Sequence, residues 1–395
     1  MAHDLRFDPF DTDFRANALE RYMQFQTESP VHKNADDSWL LTKYDDVRAV
    51  LTEHEKYERP TDQSVNRKPE GPFRDWAQHN IVSMNPPEHT RFRASLARAF
   101  SNRSIRMLEP KIELLVKSLL DELHGKDEIE FIEDFAFLLP VIVICELIGV
   151  PPKDRNFIKA NTSAMLAGLE VMADAKTMSA AAEATTSLHA YLADIAKEHE
   201  VNPKGDIFSL QIGFEKDDKM SRDEVIYNII TLLIAGHETT TYMLGNGLVA
   251  LIRNPDQLAD LRQNLDMVEN AVEETLRYGP SLHFVVRRNV TDVVLGGKSI
   301  PAGSRLFASL AAANRDPEIF DNADTFDIRR ENASKHLSFA AGRHLCAGHL
   351  LARLEGQMAF RGLLSAFHRM ELTNEPVLND GMMFRGFEKI QVRFG

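Results

Sequence analysis

Apolar positions recur every three to four residues through most of residues 85–276, while strict alternation is confined to residues 39–42, 284–307 and 382–394. The pattern predicts a mainly α protein with small β-sheets. Within the second alternating stretch, Gly296-Gly297 between Val293-Val294-Leu295 and Ile300 marks a hairpin turn. The longest element is also the most sharply bounded. Ser221-Arg222-Asp223-Glu224 has capping-box spacing, apolar residues run through Ile226, Ile229, Ile230, Leu232 and Leu233 to Leu251 and Ile252, and Asn254-Pro255 ends the pattern. Roughly thirty residues of helix reach roughly 45 Å, enough to cross a whole domain. Apolar almost all round, this helix is expected to be buried. No repeat, low-complexity block or Pro/Gly/Ser-rich linker marks a boundary, so one domain over residues 1–395 is expected, with no fused reductase domain.

Composition narrows the class. Two cysteines, Cys145 and Cys346, are too few for a disulfide framework and fit a reducing cytoplasm. The start, Met1-Ala2-His3-Asp4-Leu5-Arg6, lacks a signal-peptide core, and the longest apolar run, residues 136–150, is broken by Pro140 and Glu146. A soluble, cytoplasmic, monomeric protein is expected, with no membrane partner. The net charge of −13 speaks against nucleic acid. Charge is nevertheless uneven: residues 89–108 contain no acid but carry Arg91, Arg93, Arg98, Arg103 and Arg106. Two readings stay open, an ordinary solvated basic face and a docking patch for an acidic redox partner.

Cys346 stands in Phe339-Ala340-Ala341-Gly342-Arg343-His344-Leu345-Cys346-Ala347-Gly348, with a helical run through Leu350, Leu351 and Leu354 beyond. Glycines at 342 and 348 permit a positive φ or close approach of backbone to a flat cofactor. A thiolate at the start of a helix faces backbone N–H groups that stabilise it, and a lone axial sulfur suits haem iron. Cys145, in the apolar run Val141-Ile142-Val143-Ile144, reads instead as a buried structural thiol. In the middle of the long helix, Ala235-Gly236-His237-Glu238-Thr239-Thr240 puts an acid and an alcohol into a hydrocarbon stretch, where burial is costly without a purpose. Thr239 can bond back to the carbonyl of Ala235 and loosen the helix. A zinc-protease helix is excluded, because the second histidine it needs is replaced by Thr241.

The spacing Phe-x-x-Gly-x-x-x-Cys-x-Gly and the Ala-Gly-x-Glu-Thr helix motif together resemble the cytochrome P-450 superfamily, in its soluble bacterial form, and the likeness extends from Tyr44-Asp45-Asp46-Val47 to Phe384-Arg385-Gly386. Ala340 stands where that family usually has glycine, a change expected to cost a methyl group and little else. The resemblance implies a P-450 fold and haem b (iron protoporphyrin IX) with Cys346 as axial ligand to the iron. Phe339, Gly342, Gly348, Ala235 and Gly236 would lie against the cofactor, and His89, Arg93, Arg287 and His344 would clamp its propionates. Glu238 and Thr239 would relay protons to O2, the co-substrate. Glu274 and Arg277 would form a buried structural clasp, although by spacing alone Glu273 could pair with Arg277 instead. The clasp's third partner is left unassigned, because Thr325 stands where many members carry Arg or His.

For a substrate pocket the positions are Thr231 and Ile234 before Thr239, then Leu282, His283 and Val285, and Phe384 near the C-terminus; residues 165–182 fall at the family's mobile lid. Mostly apolar walls imply a hydrophobic small-molecule substrate, with Thr231 and His283 orienting any oxygen-bearing group. The implied activity is a monooxygenase that inserts one oxygen atom of O2 and draws electrons from NAD(P)H through a separate ferredoxin and ferredoxin reductase. Three rivals remain: a peroxide-driven enzyme, against which the Glu238-Thr239 pair counts; a non-catalytic haem gas-binding protein, which needs no proton relay; and a helical interaction protein without cofactor.

Overall fold

The computed structural model describes residues 5–60, 70–216 and 220–395; Met1 to Asp4, on which the expectation of no leader partly rests, lie outside them. The long helix is Arg222–Arg253, and its capping box forms as expected: Ser221 Oγ accepts from Glu224 N at 3.2 Å and the Glu224 carboxylate accepts from Ser221 N at 2.7 Å. It stops at Asn254, and Pro255 opens the next helix, Pro255–Gln263. Helices Leu138–Ile148, Arg155–Leu169, Ala175–Val201 and Ile207–Lys216 pack on it, as do Val268–Tyr278 and His349–Ala366. Two apolar clusters therefore share this helix: one includes Met243, Leu244 and Leu248, the other Ile226, Ile230 and Leu233. Residues along its length thus stand between two halves of the core.

Beside the helices lies a five-stranded sheet in the order Val31–Lys33, Trp39–Leu41, Arg305–Ser309, Phe284–Asn289, Tyr57–Glu58, with only the second and third strands parallel. The hairpin Val293–Leu295/Lys298–Ile300 turns at Gly296 (φ +51°) and Gly297 (φ +75°), the two left-handed residues that a two-residue turn of this kind requires. Sequence alternation misses Val31–Lys33, Tyr57–Glu58, Ile129–Glu130 and Met370–Leu372, each two or three residues long and so too short for a period to register. It likewise misses helices Ala18–Glu28, Tyr44–Thr52 and Pro72–Gln78, which precede residue 85.

The apolar run at 136–150 becomes a π-helical turn, Ile132–Ala136, and the buried helix Leu138–Ile148. Pro140 sits in its first turn, where a missing N–H costs little. Among the described residues no helix is long and apolar enough to cross a membrane. Cys145 is buried here, which pushes its thiol up to about 12, as befits a structural cysteine.

Candidate active site

Cys346 is held by its own backbone: its N–H donates to Phe339 O at 2.9 Å, closing the loop ahead of helix His349–Ala366. Its side chain is exposed. Burial of its surroundings raises the thiol above its ordinary range, while the Gly348 N–H, Arg93 and Arg353 pull the other way, favouring the thiolate. Gly342 has φ +67°, and a Cβ there would lie 2.4 Å from the carbonyl oxygen of Leu51. The glycine therefore lets helix Tyr44–Thr52 approach on that side. Gly348 caps the following helix, with only Phe100 near its open side. Ala340 has φ +57°, a left-handed conformation that costs a non-glycine residue about 1–2 kcal/mol. Its cost is therefore backbone strain, more than the methyl group expected.

The loop's other end is fixed by charge. Arg353, on the helix beyond Cys346, donates to Glu273 through Nε and, at 3.0 Å, through Nη2, and its guanidinium lies 4.6 Å over the Phe339 ring. His336 meets the same carboxylate at 3.2 Å, although burial holds its own pKa below the usual range. Burial alone would raise Glu273; these partners outweigh it and bring the carboxyl down to about 2 from 4.5. Because its folded value is depressed, Glu273 stabilises the fold fully above about 4.5 and loses that contribution as pH falls toward about 2, a difference of about 3 kcal/mol at most. Urea unfolding from pH 6 down to pH 3 should show this loss in the native chain and much less of it in Glu273→Gln; parallel curves for the two proteins would remove the assignment.

A cluster of cations forms beside the loop. Arg287, on Phe284–Asn289, is buried, and Arg59, just past its neighbour strand Tyr57–Glu58, lies beside it half-buried with its Nε enclosed. Both guanidinium groups donate to Val286 O, at 2.9 and 3.2 Å, and Arg59 Nε has no partner. Burial, aided by Arg59, drives Arg287 well below its usual value, and burial brings Arg59 down to about 10. The His89 and His344 rings sit 4.2 Å apart, held down by burial and neighbouring cations to about 4 and about 2. Arg93 acts on His89 and Cys346 alike. Among the described residues no carboxylate pairs with Arg59 or Arg287, whereas Arg288 is bound to Glu58. Buried cations without a counter-charge are costly, and a dianionic group fits what they lack. The thiol donor and this cluster therefore fit haem and its two propionates. Arg59 escapes sequence reading because no motif surrounds it; only strand pairing brings it to Arg287.

On the long helix, Ala235 is exposed and Thr239 half-exposed, although the residues around them are buried. Thr239 Oγ1 donates to Ala235 O at 3.0 Å, the expected back-bond. Glu238 is buried on the other side, where Ser163 Oγ donates to it at 2.5 Å and His237 Nε2 lies at 3.5 Å. Burial raises its pKa, but the His237 and Ser163 contacts prevail and the carboxyl lies below its ordinary range. A Cβ at Gly236 would meet Ile144 at 2.5 Å, so the glycine admits the close approach of helix Leu138–Ile148 on that side.

Among the pocket positions, Thr231 accepts from Trp76 Nε1 at 3.0 Å and donates to Tyr227 O at 2.8 Å, so its hydroxyl is already occupied. Ile234 is buried in the same cluster, Leu282 is bridged to Phe384, and Leu282, Val285 and Phe384 remain half-buried. His283 is corrected as an orienting group. It is buried against Tyr22, ring centroids 5.8 Å apart, with burial bringing it to about 3.

Glu274 and Arg277 form the expected clasp, fully buried, with two bonds of 2.7 Å. Arg277 also donates to the carbonyls of Asn314, Ala323 and Thr325. The third partner is Arg330, whose Nε reaches Glu274 at 3.2 Å; Thr325 gives only its carbonyl. Glu273 pairs elsewhere, as described above.

Comparison with known proteins agrees with this geometry. Residues 29–387 match the family model "Cytochrome P450". Cytochrome P450 107B1 of Saccharopolyspora erythraea is 35% identical, covering 98% of this chain and 97% of its own. The vitamin D(3) 25-hydroxylase of Pseudonocardia autotrophica is likewise 35% identical, over 100% and 96%. Among solved structures, P450BioI in complex with acyl carrier protein carrying hexadec-9Z-enoic acid superposes with a TM-score of 0.90 at 31% identity, over 97% of this chain and all of that one. The chain belongs to the cytochrome P450 family and is a haem-thiolate monooxygenase.

Proposed function

We propose that Cys346 ligates the iron of haem b, that Arg59, His89, Arg93, Arg287 and His344 hold its propionates, and that the chain oxidises a hydrophobic small molecule with electrons from NAD(P)H passed through a ferredoxin and its reductase. The observation that carries this reading is the buried Arg287 with half-buried Arg59 beside it, a pair that meets no carboxylate among the described residues, next to a loop presenting one exposed thiol. Two relatives are named for apolar ligands, vitamin D(3) and a long-chain fatty acyl group, which supports the substrate class. The half-buried apolar side chains of Leu282, Val285 and Phe384 suit the same chemistry.

When bound, haem supplies the redox chemistry that activates O2, and a thiolate ligand favours O–O cleavage. The protein's own part is to meter protons. Held below its ordinary range, Glu238 is a carboxylate at neutral pH and can accept a proton on the Ser163 side. By turning about its side chain it can bring that proton to Thr239, whose hydroxyl, now donating to Ala235 O, would pass its own proton on as it takes the new one. In a reconstituted system, using a compound that gives a spin shift, Thr239→Ala should lower product per NAD(P)H by about tenfold or more and divert reducing equivalents to hydrogen peroxide. Unchanged coupling would remove Thr239 from the relay.

The acid-free stretch divides into three. Arg91 pairs with Glu224 at 2.7 Å, Arg93 faces the cation cluster, and Arg98, Arg103 and Arg106 stay exposed around Met107, itself 70% exposed. Phe100, in the same stretch, lies against Gly348 of the cysteine loop. A basic rim with an apolar centre on the cysteine side suits an acidic ferredoxin. We place the reaction in the cytoplasm, as one catalytic domain.

A further inference from the structure

Helices Arg155–Leu169 and Ala175–Val201 pack along each other and are joined by a short turn at residues 170–174. Glu170, the first residue of that turn, reaches across to the C-terminal loop. Its Oε2 accepts from the N–H groups of Met382 and Met383 at 3.0 and 3.1 Å, and its Oε1 accepts from Phe384 N at 3.0 Å. One carboxylate thus gathers three consecutive backbone donors, none of which has a strand partner to replace it. The neighbouring position is shaped for this contact. A Cβ at Gly381 would lie 2.8 Å from Glu170 Oε1 and 2.3 Å from Phe384 O, so any other residue would collide with both. Met172, on the same turn, packs against the cluster that contains Met382.

The rest of the loop is tied to the body of the protein. Arg385 donates to the carbonyls of Asn379, Gly381 and Arg15, and its N–H donates to Ser281 O. The Asn379 amide donates to Phe384 O at 3.0 Å. Phe384 bridges to Leu282, and its ring packs with the cluster that includes Trp76, Met165 and Ile234. Glu170 is therefore the polar link between the helix-pair turn and the loop that presents Phe384.

We propose that Glu170 is a positioning residue that latches this turn to the Phe384 loop, so that the turn lifts away from the ligand pocket only when the latch releases. The latch governs entry and exit of apolar ligands, and this second half rests on the haem pocket proposed above. When the turn lifts, the carboxylate leaves and three N–H groups lose their acceptor together, so intermediate positions are disfavoured and the pocket is either open or closed.

The test uses the haem-loaded full chain, with Glu170→Gln, which keeps the side chain's size but not its charge, and Glu170→Ala. Amide hydrogen exchange at Met382, Met383 and Phe384 should accelerate by about tenfold or more in Glu170→Ala and by less in Glu170→Gln, with exchange around Glu274–Arg277 unchanged. With 4-phenylimidazole as probe, association and dissociation rates should rise together in the same order. Native exchange at 382–384 in both variants would overturn the latch. Faster exchange with unaltered probe rates would overturn its control of access and leave a local brace. Native protein without the red-shifted ferrous–carbonyl band of a thiolate haem would instead sink the cofactor reading, and the exchange measurement, repeated on that protein, would still decide the latch.

Discussion

Cys346→Ala is expected to fold and yet to lose the red-shifted ferrous–carbonyl band and all monooxygenase turnover. Folding survives because the loop is held by groups the substitution leaves alone. The bond from Cys346 N to Phe339 O is made by backbone, and Phe339 lies under Arg353, which is tied to Glu273. The ligand, in contrast, has no substitute. Cys145 is the one other cysteine, and it is buried in helix Leu138–Ile148 with its thiol pushed up to about 12. Circular dichroism alongside the carbonyl spectrum separates the two effects. A variant that keeps the band would show that the iron is held by another sulfur.

Glu274→Ala is expected to lower the unfolding free energy by about 3–5 kcal/mol, because it strands two buried arginines. Arg277 is wholly buried and Arg330 nearly so, and neither meets another carboxylate among the described residues. Since ordinary domains are stable by about 5–15 kcal/mol, the loss is a large fraction of the whole. It also reaches the site. Arg277 donates to Asn314 O, while the Asn314 side chain holds Leu337 N and Ser338 Oγ at the start of the cysteine loop. Haem release and unfolding should then fall in one shifted urea transition. Replacing the pair together, Glu274→Leu with Arg277→Met, should cost less than Glu274→Ala, because the single variant strands two buried arginines and the double variant only Arg330. An unchanged midpoint in Glu274→Ala would show the clasp to be dispensable.

Much of this architecture is legible along the chain because it depends on neighbours in sequence. The capping box at Ser221 and Glu224, the stop at Asn254-Pro255, the back-bond from Thr239 to Ala235 and the Gly296-Gly297 turn each use residues within four positions of one another. Local rules suffice for them. Less legible is what happens where two segments meet. Gly236 and Gly342 look like cofactor glycines in their motifs, yet the atoms that exclude a side chain there belong to Ile144 and Leu51. His283 stands in a stretch read as pocket wall, and the fold turns it toward Tyr22.

The sequence by itself determined the fold class and the family, and it singled out the sulfur at 346 and the acid–alcohol pair at 238–239 as candidates, since spacing within one helix or loop carries that information. Only the tertiary structure decided the counter-charges. Arg59 joins Arg287 through strand pairing, Arg330 completes the clasp at Glu274, Arg353 takes Glu273 away from Arg277, and Glu170 spans from a helix end to residues 382–384. An isolated charged residue carries no periodicity and shows no partner in its own neighbourhood. Burial makes the choice, because a charge removed from water must find its complement wherever the folded chain has brought one.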